Sequence, residues 1–596
     1  MDSRRIRLIL GAILVCALAL RLGYVLSQRS DVLFEHPVLD EGRYVDSARA
    51  LIAGHGEDRP YWQPPGIVYA LAATFEVAGQ GLLAPRIVQV LVSVASCLLL
   101  FAIGRRMFDA RVGLAAAGIL ALHGVLVFEC DELLPATWIV FFDLLALLLL
   151  LRALERRRAI DALVAGLAIG VSALFAPTIL PFVAVAAVLL RRPLAIAALV
   201  AGVLLPIVPV TARNFQHGGE VVAVSTNAGL NLYIGNNADY RDTFALRPGR
   251  HWEELTTEPA RHGIDQPGAS STYFEHQALA FVVDHPGSAV ALTARKLYLF
   301  VNGAEIPRDT DIDEARDSSW LLAGLVWPRF GFPDALLVPI ALLGIAAVWR
   351  ERRRLAAPLG LLATIAATTV IFFVTSRHRA PALPLFALFA AAGVQRWLGW
   401  PVRVRRLALA GAAALVVVLN IPTWETELAY PGELDFYRGL AAHDPDSARA
   451  AFQRATEANP NDARAWFELG NVLRGRDAIA AWQHAADLDP WDSRARRRIA
   501  QAQVQAGDLD GAIATLQASI AAHLRDDAHY APDYLNLAFM QAQRGQRDAA
   551  LANLAAAVRA DREYVARTAP RMAQAVRRDP AADPEFLRAL DAIGPR

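Results

Sequence analysis

The feature that most constrains the fold is a series of long apolar segments separated by short arginine clusters. About eleven segments in the first 422 residues approach the roughly twenty uncharged residues that a helix needs to cross a bilayer. Since 55% of the 596 residues are hydrophobic, one soluble domain is excluded. We therefore predict a mainly α, polytopic helical membrane domain over residues 1–422. The predicted spans are 5–26, 83–104, 111–128, 135–154, 159–175, 177–190, 193–212, 333–350, 355–376, 380–398 and 403–422.

The arginines occupy every second gap between these spans, starting before the first one. Cytoplasmic loops hold positive charge, whereas long translocated loops escape this bias. The pattern predicts a cytoplasmic N-terminus, with loops 27–82 and 213–332 and the C-terminal tail outside, as in a multi-pass protein of the bacterial cytoplasmic (inner) membrane. The arginines are Arg4, Arg5, Arg7, Arg105, Arg106, Arg111, Arg152, Arg156, Arg157, Arg158, Arg191, Arg192, Arg350, Arg352, Arg353, Arg354, Arg396, Arg403, Arg405 and Arg406.

Two acidic clusters lie just beyond predicted spans. Asp40 and Glu41 follow the first span, and Glu129, Asp131 and Glu132 follow the third. If odd spans run outward, both clusters reach the same membrane face, where carboxylates are kept mostly for binding or reaction. The pattern predicts a site on that face; the alternative is ordinary loop acids solvated at the headgroup boundary. Glu129 is interpreted as a boundary residue.

Charge and cysteine content exclude two other classes of function. A formal net charge of +1 argues against a nucleic-acid partner. The cysteines, Cys16, Cys97 and Cys130, lie in or at the edge of predicted spans. The exported parts therefore have no disulfide framework and no cysteine-based zinc site.

The tail over residues 430–596 changes to a periodic, alanine-rich pattern with regularly spaced helix breakers. One unit runs from Trp466 to Pro490, a second from Ile499 to Leu516 and a third from Tyr534 to Ala557, after a half unit around Phe452. These units resemble tetratricopeptide (TPR) repeats, although their spacing is irregular. Such repeats either bind a protein partner in a concave surface or pack passively, and the sequence leaves both open.

The loop over residues 213–332 is too long for a simple connection. Residues 221–234 mix alternating β-branched residues with asparagine and glycine, and residues 271–303 have a helical pattern. We predict a small α+β cap over the outer ends of the spans.

Several ordered motifs share one family resemblance. His36 to Tyr44 contain the Asp-Glu pair and lead into an amphipathic stretch, and Tyr61 to Gly66 contain a Pro-Pro turn. Residues 227–237 and 376–384 add an asparagine-rich loop and an Arg-x-Arg-x-Pro motif before a late span. Over residues 1–420 the chain resembles the GT-C class of polytopic glycosyltransferases, in particular the family 39 group, which includes protein O-mannosyltransferases and lipid A aminoarabinose transferases.

The resemblance implies transfer of a sugar from a polyprenyl-phosphate-linked donor. Such a reaction needs a carboxylate to take the proton of the acceptor hydroxyl, and Asp40 is the candidate base. Glu41 is grouped with it, to orient the acceptor, bind sugar hydroxyls or stabilise charge; the alternative is a solvated neighbour. Asp131, at the position of a second outer-loop acid in relatives, and Glu132 form the candidate acceptor site or position the first-loop acids.

The leaving lipid phosphate needs fixed positive partners at headgroup level. Arg377 and Arg379 are the candidates because a guanidinium binds phosphate bidentately; the alternative is that they anchor a span to lipid. Family members often carry a lysine before the Pro-Pro turn, where this chain has Gln63. Gln63 is therefore part of the predicted phosphate site, which has one cation fewer than the site of those family members. His378 is interpreted as a bystander.

No cofactor is predicted, although a divalent metal between Asp40 and Asp131 is an alternative, since hard cations take oxygen ligands. The predicted function is a membrane glycosyltransferase that acts on a protein, lipid A or envelope-glycan acceptor outside the cytoplasm. The alternative is a non-catalytic membrane scaffold or lipid-carrier-binding protein that recruits partners through its repeats.

Overall fold

The computed structural model describes residues 2–522, 530–578 and 583–593. The chain forms two compact units, residues 1–429 and 430–596. The helices of the first unit are α1 Ser3–Gln28, α2 Val32–Glu35, α3 Leu39–Ile52, α4 Gly66–Ala78, α5 Leu83–Met107, α6 Ala110–Leu122, α7 Gly124–Phe128, α8 Ala136–Arg156, α9 Ala159–Phe175, α10 Phe182–Leu190, α11 Pro193–Gly218, α12 Ala228–Gly235, α13 Tyr240–Ala245, α14 Arg250–Arg261, α15 Pro267–Asp284, α16 Pro286–Val301, α17 Ile312–Asp317, α18 Trp320–Leu325, α19 Asp334–Val348, α20 Ala356–Ile371, α21 Ser376–Arg379, α22 Leu383–Leu398 and α23 Val402–Leu419.

Apolar helices cover every predicted span, but the predicted count of about eleven spans is not supported. Among the described residues, four helices, α1, α5, α8 and α11, are long and apolar enough to cross a membrane on their own. Several others are shorter apolar helices, among them α6, α9 and α20. Proline and bends shorten some of them: the predicted span at 177–190 is a 3-10 turn at Pro177–Ile179 followed by α10.

Small residues let the membrane helices pack closely. A Cβ atom on Gly166 of α9 would lie 2.0 Å from the carbonyl oxygen of Leu199 in α11. One on Gly202 of α11 would lie 2.1 Å from the carbonyl oxygen of Leu163. Close backbone approach at small residues is how helices associate in lipid, where the hydrophobic effect does not drive association.

A buried arginine stabilises the break between α6 and α7. Arg21 of α1 is fully buried and donates to the carbonyl oxygens of Ala121 at 2.9 Å and Leu120 at 3.1 Å, at the end of α6. Its Nε donates to Ser93 at 2.7 Å. Since a helix C-terminus carries unpaired carbonyl groups and partial negative charge, this cation satisfies both. The short helix α7 that follows the break leads into the loop that carries the second acidic cluster.

The predicted α+β cap is wrong: residues 213–332 form the end of α11 and the helices α12 to α18. The described residues contain one isolated antiparallel bridge, between Trp327 and Phe332, and no strand. The backbone of the β-branched stretch hydrogen-bonds to a side chain instead of to a partner strand. Asn214 Nδ2 donates to the carbonyl oxygens of Val222 and Val224, at 3.1 and 3.0 Å.

The second unit is a succession of helix pairs. Adjacent helices α24 and α25, α26 and α27, α28 and α29, and α30 and α31 pack on one another, so each predicted repeat falls on one pair. A Cβ on Gly470 would lie 2.5 Å from the Trp482 ring. The assignment to TPR repeats remains a prediction. The helices are α24 Glu433–Ala441, α25 Pro445–Ala458, α26 Ala463–Val472, α27 Gly475–Leu488, α28 Ser493–Gln505, α29 Leu509–Ala521, α30 Ala531–Gln543, α31 Arg547–Ala560, α32 Arg562–Val576 and α33 Pro584–Asp591.

Candidate active site

The start of α3 directs the Asp-Glu pair. Leu39, the first helical residue, has φ +57°, in the left-handed region that non-glycine residues rarely adopt. A Cβ on Gly42 would lie 2.5 Å from the carbonyl oxygen of Pro37, so the chain closes tightly over the first turn. Asp40 and Glu41, adjacent on this helix, point to different partners.

Asp40 pairs with one of the two arginines predicted to bind phosphate. Arg377 Nη1 donates to Asp40 Oδ2 at 3.1 Å and also to Asp309 Oδ2. The side chains of Arg377 and Asp40 are 21% and 22% exposed, so the pair lies just below the surface. The sequence predicted a carboxylate and a phosphate-binding cation separately, and the structure puts them in contact.

Hydrogen bonds between Ile306 and Ser376 hold the segment before Asp309 beside α21. The Ser376 backbone N–H donates to the carbonyl oxygen of Ile306 at 3.0 Å, and the Ile306 N–H donates to Ser376 Oγ at 2.8 Å. These bonds tie Ile306, three residues before Asp309, to the turn that carries Arg377. Sequence reasoning missed Asp309; its only signal was a charged Arg-Asp step inside a long loop.

The surroundings of Asp40 keep it ionised. Burial raises the pKa of Asp40, but the charge of Arg377 and a side-chain hydrogen bond from Gln63 outweigh it, so the net pKa is lowered. A base with a lowered pKa takes protons poorly, because general bases work best with a pKa near the working pH. In this state Asp40 is therefore ionised and only weakly basic.

Arg86 of α5 joins the two acidic clusters. Its Nη2 donates to Glu41 Oε1 at 2.8 Å, and its Nε lies 3.1 Å from Asp131 Oδ1. The guanidinium also stacks over the Phe34 ring, 4.0 Å from the ring centroid, and is almost fully buried. Sequence reasoning missed Arg86 because one arginine inside an apolar segment hardly changes the mean hydropathy of that segment. Glu41 also accepts from the Leu133 N–H at 3.2 Å, so its bonds hold α3 against the second cluster.

The second acidic cluster is buried, and its carboxyl groups hold protons more tightly than usual. Burial raises the pKa of Glu129 and of Asp131 to about 7, in spite of Arg377 and Arg86 respectively. Burial and the neighbouring carboxylates also raise the pKa of Glu132 well above its ordinary value. Glu132 Oε2 accepts from Thr310 Oγ1 at 3.0 Å. This bond links the cluster to the loop that carries Asp309.

A small cavity of about 30 Å³ lies between these groups. Glu129, Glu132, Asp309 and Arg377 contribute to its lining. Its volume suits one or two water molecules. Glu129 Oε2 is buried and has no hydrogen-bond partner among the described residues. Members of the second acidic cluster, Asp309 and Arg377 thus border one polar space, and Arg377 connects it to Asp40.

The second predicted phosphate arginine has a different environment. Arg379 is 2% exposed and donates to the backbone carbonyls of Asn302 and Ala304, to Glu305 at 2.8 Å and to Asp334 at 3.3 Å. It holds the loop after α16 and has no open side for a phosphate, so the structure separates it from Arg377.

Gln63 and His378 are both near the Asp40–Arg377 ion pair. Gln63 hydrogen-bonds to Asp40, in a segment held by backbone bonds from Thr226 and Asn227 to Tyr61 and Trp62. Burial lowers the pKa of His378 to about 3, so it is neutral, and its Nδ1 lies 2.7 Å from Thr375 Oγ1.

The carboxylates considered for a metal, Asp40 and Asp131, contact different arginines. Among the described residues, no group of three or more His, Cys, Asp or Glu side chains is arranged to hold a metal ion. The residues that the structure brings together are therefore carboxylates and guanidinium groups.

Apolar helices that enclose a charged cluster of this kind define a multi-pass helical membrane protein with a polar site. Residues 62–212 match the family described as dolichyl-phosphate-mannose-protein mannosyltransferase. The match confirms, over that range, the resemblance to GT-C glycosyltransferases that the motifs predicted. No curated protein matches the chain.

Two solved structures of an Archaeoglobus fulgidus oligosaccharyltransferase are similar to the chain. The apo form has 15% sequence identity and a TM-score of 0.41, with 82% of this chain and 60% of that chain covered. AglB, in complex with an inhibitory peptide and a dolichol-phosphate, has 17% identity and a TM-score of 0.38, with 81% and 60% covered. The chain thus spans less than two thirds of the length of these proteins.

Proposed function

We propose that the protein is a membrane glycosyltransferase that moves a sugar from a polyprenyl-phosphate-linked donor to an acceptor hydroxyl outside the cytoplasm. The observation that supports it most is the 3.1 Å contact between Asp40 and Arg377. It puts a carboxylate able to take a proton beside a cation able to bind a phosphate. The family match, whose description names a dolichyl-phosphate-mannose donor, supports a lipid-phosphate-linked sugar.

In the proposed reaction the acceptor oxygen attacks the anomeric carbon of the sugar from the side opposite the lipid phosphate. Asp40 takes the proton of the acceptor hydroxyl as the new bond forms. The bond between the anomeric carbon and the phosphate oxygen breaks, and its electron pair stays on the phosphate. Arg377 stabilises that charge, and the product has inverted configuration.

Other residues of the site have supporting roles in this proposal. Glu41 and Asp131, held by Arg86, fix α3 and the second acidic loop, and so fix the direction of Asp40. Glu132 and Thr310 border the space that the acceptor approaches. Gln63 orients Asp40 through its hydrogen bond, and Arg379 supports the loop behind Arg377. The cavity is too small for a sugar ring, so the sugar binds at its open side.

The bacterial inner membrane and an outward-facing site belong to this proposal, since they follow from the arginine pattern. The acceptor is a protein, lipid A or an envelope glycan. The second unit would present a protein acceptor or partner. The alternative is a scaffold that recruits partners through residues 430–596, and the observation that favours it is that these residues form a compact unit of their own.

The test is mass spectrometry of polyprenyl-phosphate sugars and envelope glycans in cells that produce the intact chain or Asp40→Asn. Asp46→Asn is the matched control, because Asp46 lies on the same helix with its side chain 82% exposed. We expect one lipid-linked sugar to accumulate in Asp40→Asn and to disappear from one acceptor, with no change in the control. Unchanged lipids and glycans in a well-produced Asp40→Asn variant would favour the scaffold, whose role should be lost on deletion of residues 430–596.

A further inference from the structure

The Arg377 guanidinium serves two carboxylates before any substrate binds. Its Nη1 donates to both Asp40 and Asp309, so this cluster carries one positive and two negative charges. A donor phosphodiester bound to Arg377 adds a further negative charge to the same cation. With three anions around one guanidinium, the contact with at least one of them must weaken.

Asp309 has other cations near it, whereas Asp40 depends mainly on Arg377. Besides Arg377, the positive charges of Arg247 and Arg308 act on Asp309. The groups that stabilise the charge of Asp40 are Arg377 first, then the Gln63 side chain, and more weakly Arg43 on its own helix. Tyr44, also on that helix, faces both Asp40 and Asp309. Asp309 is the closer of the two carboxylates to Arg377 and acts on it more strongly, so Asp40 is the group that a phosphate would displace. Because Asp40 depends mainly on Arg377, this displacement makes Asp40 a stronger base.

We propose that binding of the donor phosphate draws Arg377 away from Asp40, so that Asp40 becomes an effective base only once the donor is in place. This inference rests on the proposed function and adds an order of events to it. Asp40 then takes the proton of the acceptor hydroxyl as the oxygen bonds to the anomeric carbon. When the lipid phosphate leaves, Asp40 releases that proton to water and pairs with Arg377 again.

Equilibrium binding of farnesyl methyl phosphate, a phosphodiester with one fixed negative charge, to the full chain in lipid nanodiscs tests this order. Loss of the competing carboxylate in Asp40→Asn should tighten binding about tenfold, the size expected for one hydrogen bond to a charged group. Glu129→Gln is the matched control, because Glu129 borders the same cavity as Arg377 but has no hydrogen bond to Arg377. Glu129→Gln should change the dissociation constant of the probe by about threefold or less, because it removes only a nearby negative charge and no contact with Arg377. Arg377→Ala should weaken binding about tenfold or more.

The outcomes separate the inference from the proposed function. If Arg377→Ala binds the probe as well as the intact chain does, the phosphate site itself is refuted. If Arg377→Ala loses binding but Asp40→Asn binds no tighter than Glu129→Gln does, the site stands and the exchange is refuted. Should Asp40→Asn fail to fold, a Glu129→Gln/Glu132→Gln double variant decides, because it removes the two cavity glutamates whose own protonation would also strengthen anion binding at low pH. In that variant the exchange requires tighter binding at about pH 5 than at about pH 8, because displaced Asp40 takes up a proton. Affinity that is the same at both pH values overturns it.

Discussion

Glu129 provides a test of the polar cavity that does not depend on any substrate. Glu129 is 4% exposed and borders the cavity, and its Oε2 has no hydrogen-bond partner among the described residues. Burial raises its pKa from 4.5 to about 7. A rise of this size corresponds to roughly 3 kcal/mol of destabilisation once the group is ionised in both the folded and the unfolded states. Glu129→Gln keeps the shape of the side chain and removes the charge.

The sign of the pH dependence follows from the raised pKa. Between pH 4.5 and about 7 the folded state holds the proton of Glu129 and the unfolded state has lost it. Raising the pH across this window therefore lowers the free energy of unfolding. The stability gained by Glu129→Gln should be near zero below the window and should reach about 3 kcal/mol at pH values above it.

Thermal unfolding in detergent, followed by tryptophan fluorescence over a series of pH values, measures this difference. Glu76→Gln is the control, because Glu76 is an exposed carboxylate on α4. We expect the midpoint of the Glu129→Gln variant to exceed that of the intact chain at high pH and to match it at low pH. A gain that does not change with pH, or a variant less stable at high pH, would refute the proposed burial and its energetic cost.

Three further predictions concern other parts of the chain. Arg86→Gln should destabilise the first unit by about 3–5 kcal/mol, because it leaves the buried carboxylates of Glu41 and Asp131 without their cation; a midpoint equal to that of the intact chain would contradict this. At Leu39, with φ +57°, substitution by Gly should be tolerated and substitution by Val should lower the unfolding midpoint and the transfer rate; equal behaviour of the two variants would argue against strain at this position. Residues 430–596 produced alone should give a helical circular dichroism spectrum and cooperative unfolding, and a disordered fragment would show that the unit depends on the rest of the chain.

The helical character of the first unit was predictable because hydropathy and arginine spacing are local properties of the sequence. The cap was not, since β-branched residues indicate a strand only when a partner strand exists. In this chain the Asn214 side chain donates to the backbone carbonyls of Val222 and Val224 instead. The choice between these partners depends on the three-dimensional position of α11, which no local pattern reports.

The site was predictable residue by residue but not as an arrangement. Asp40 and Arg377 were each singled out by residue type and motif, yet their contact joins positions 337 residues apart. Arg377 and Arg379 looked equivalent in the sequence, but residues two apart on a helical turn point in different directions. Arg379 therefore points into a buried network while Arg377 reaches Asp40. Asp309 had no motif to mark it.

The most direct test of the central claim uses the purified full chain in lipid nanodiscs with the polyprenyl lipid fraction of the cells that produce it. Mass spectrometry follows the lipid-linked sugars over time, with Asp40→Asn and the exposed-site control Asp46→Asn in parallel. When the matching envelope fraction is added as acceptor, we predict that the intact chain and the control consume one lipid-linked sugar and release its polyprenyl phosphate. Asp40→Asn should leave that lipid intact. Consumption by Asp40→Asn at the rate of the intact chain would contradict the role of Asp40, and consumption of no lipid-linked sugar by the folded intact chain would contradict the proposed transferase.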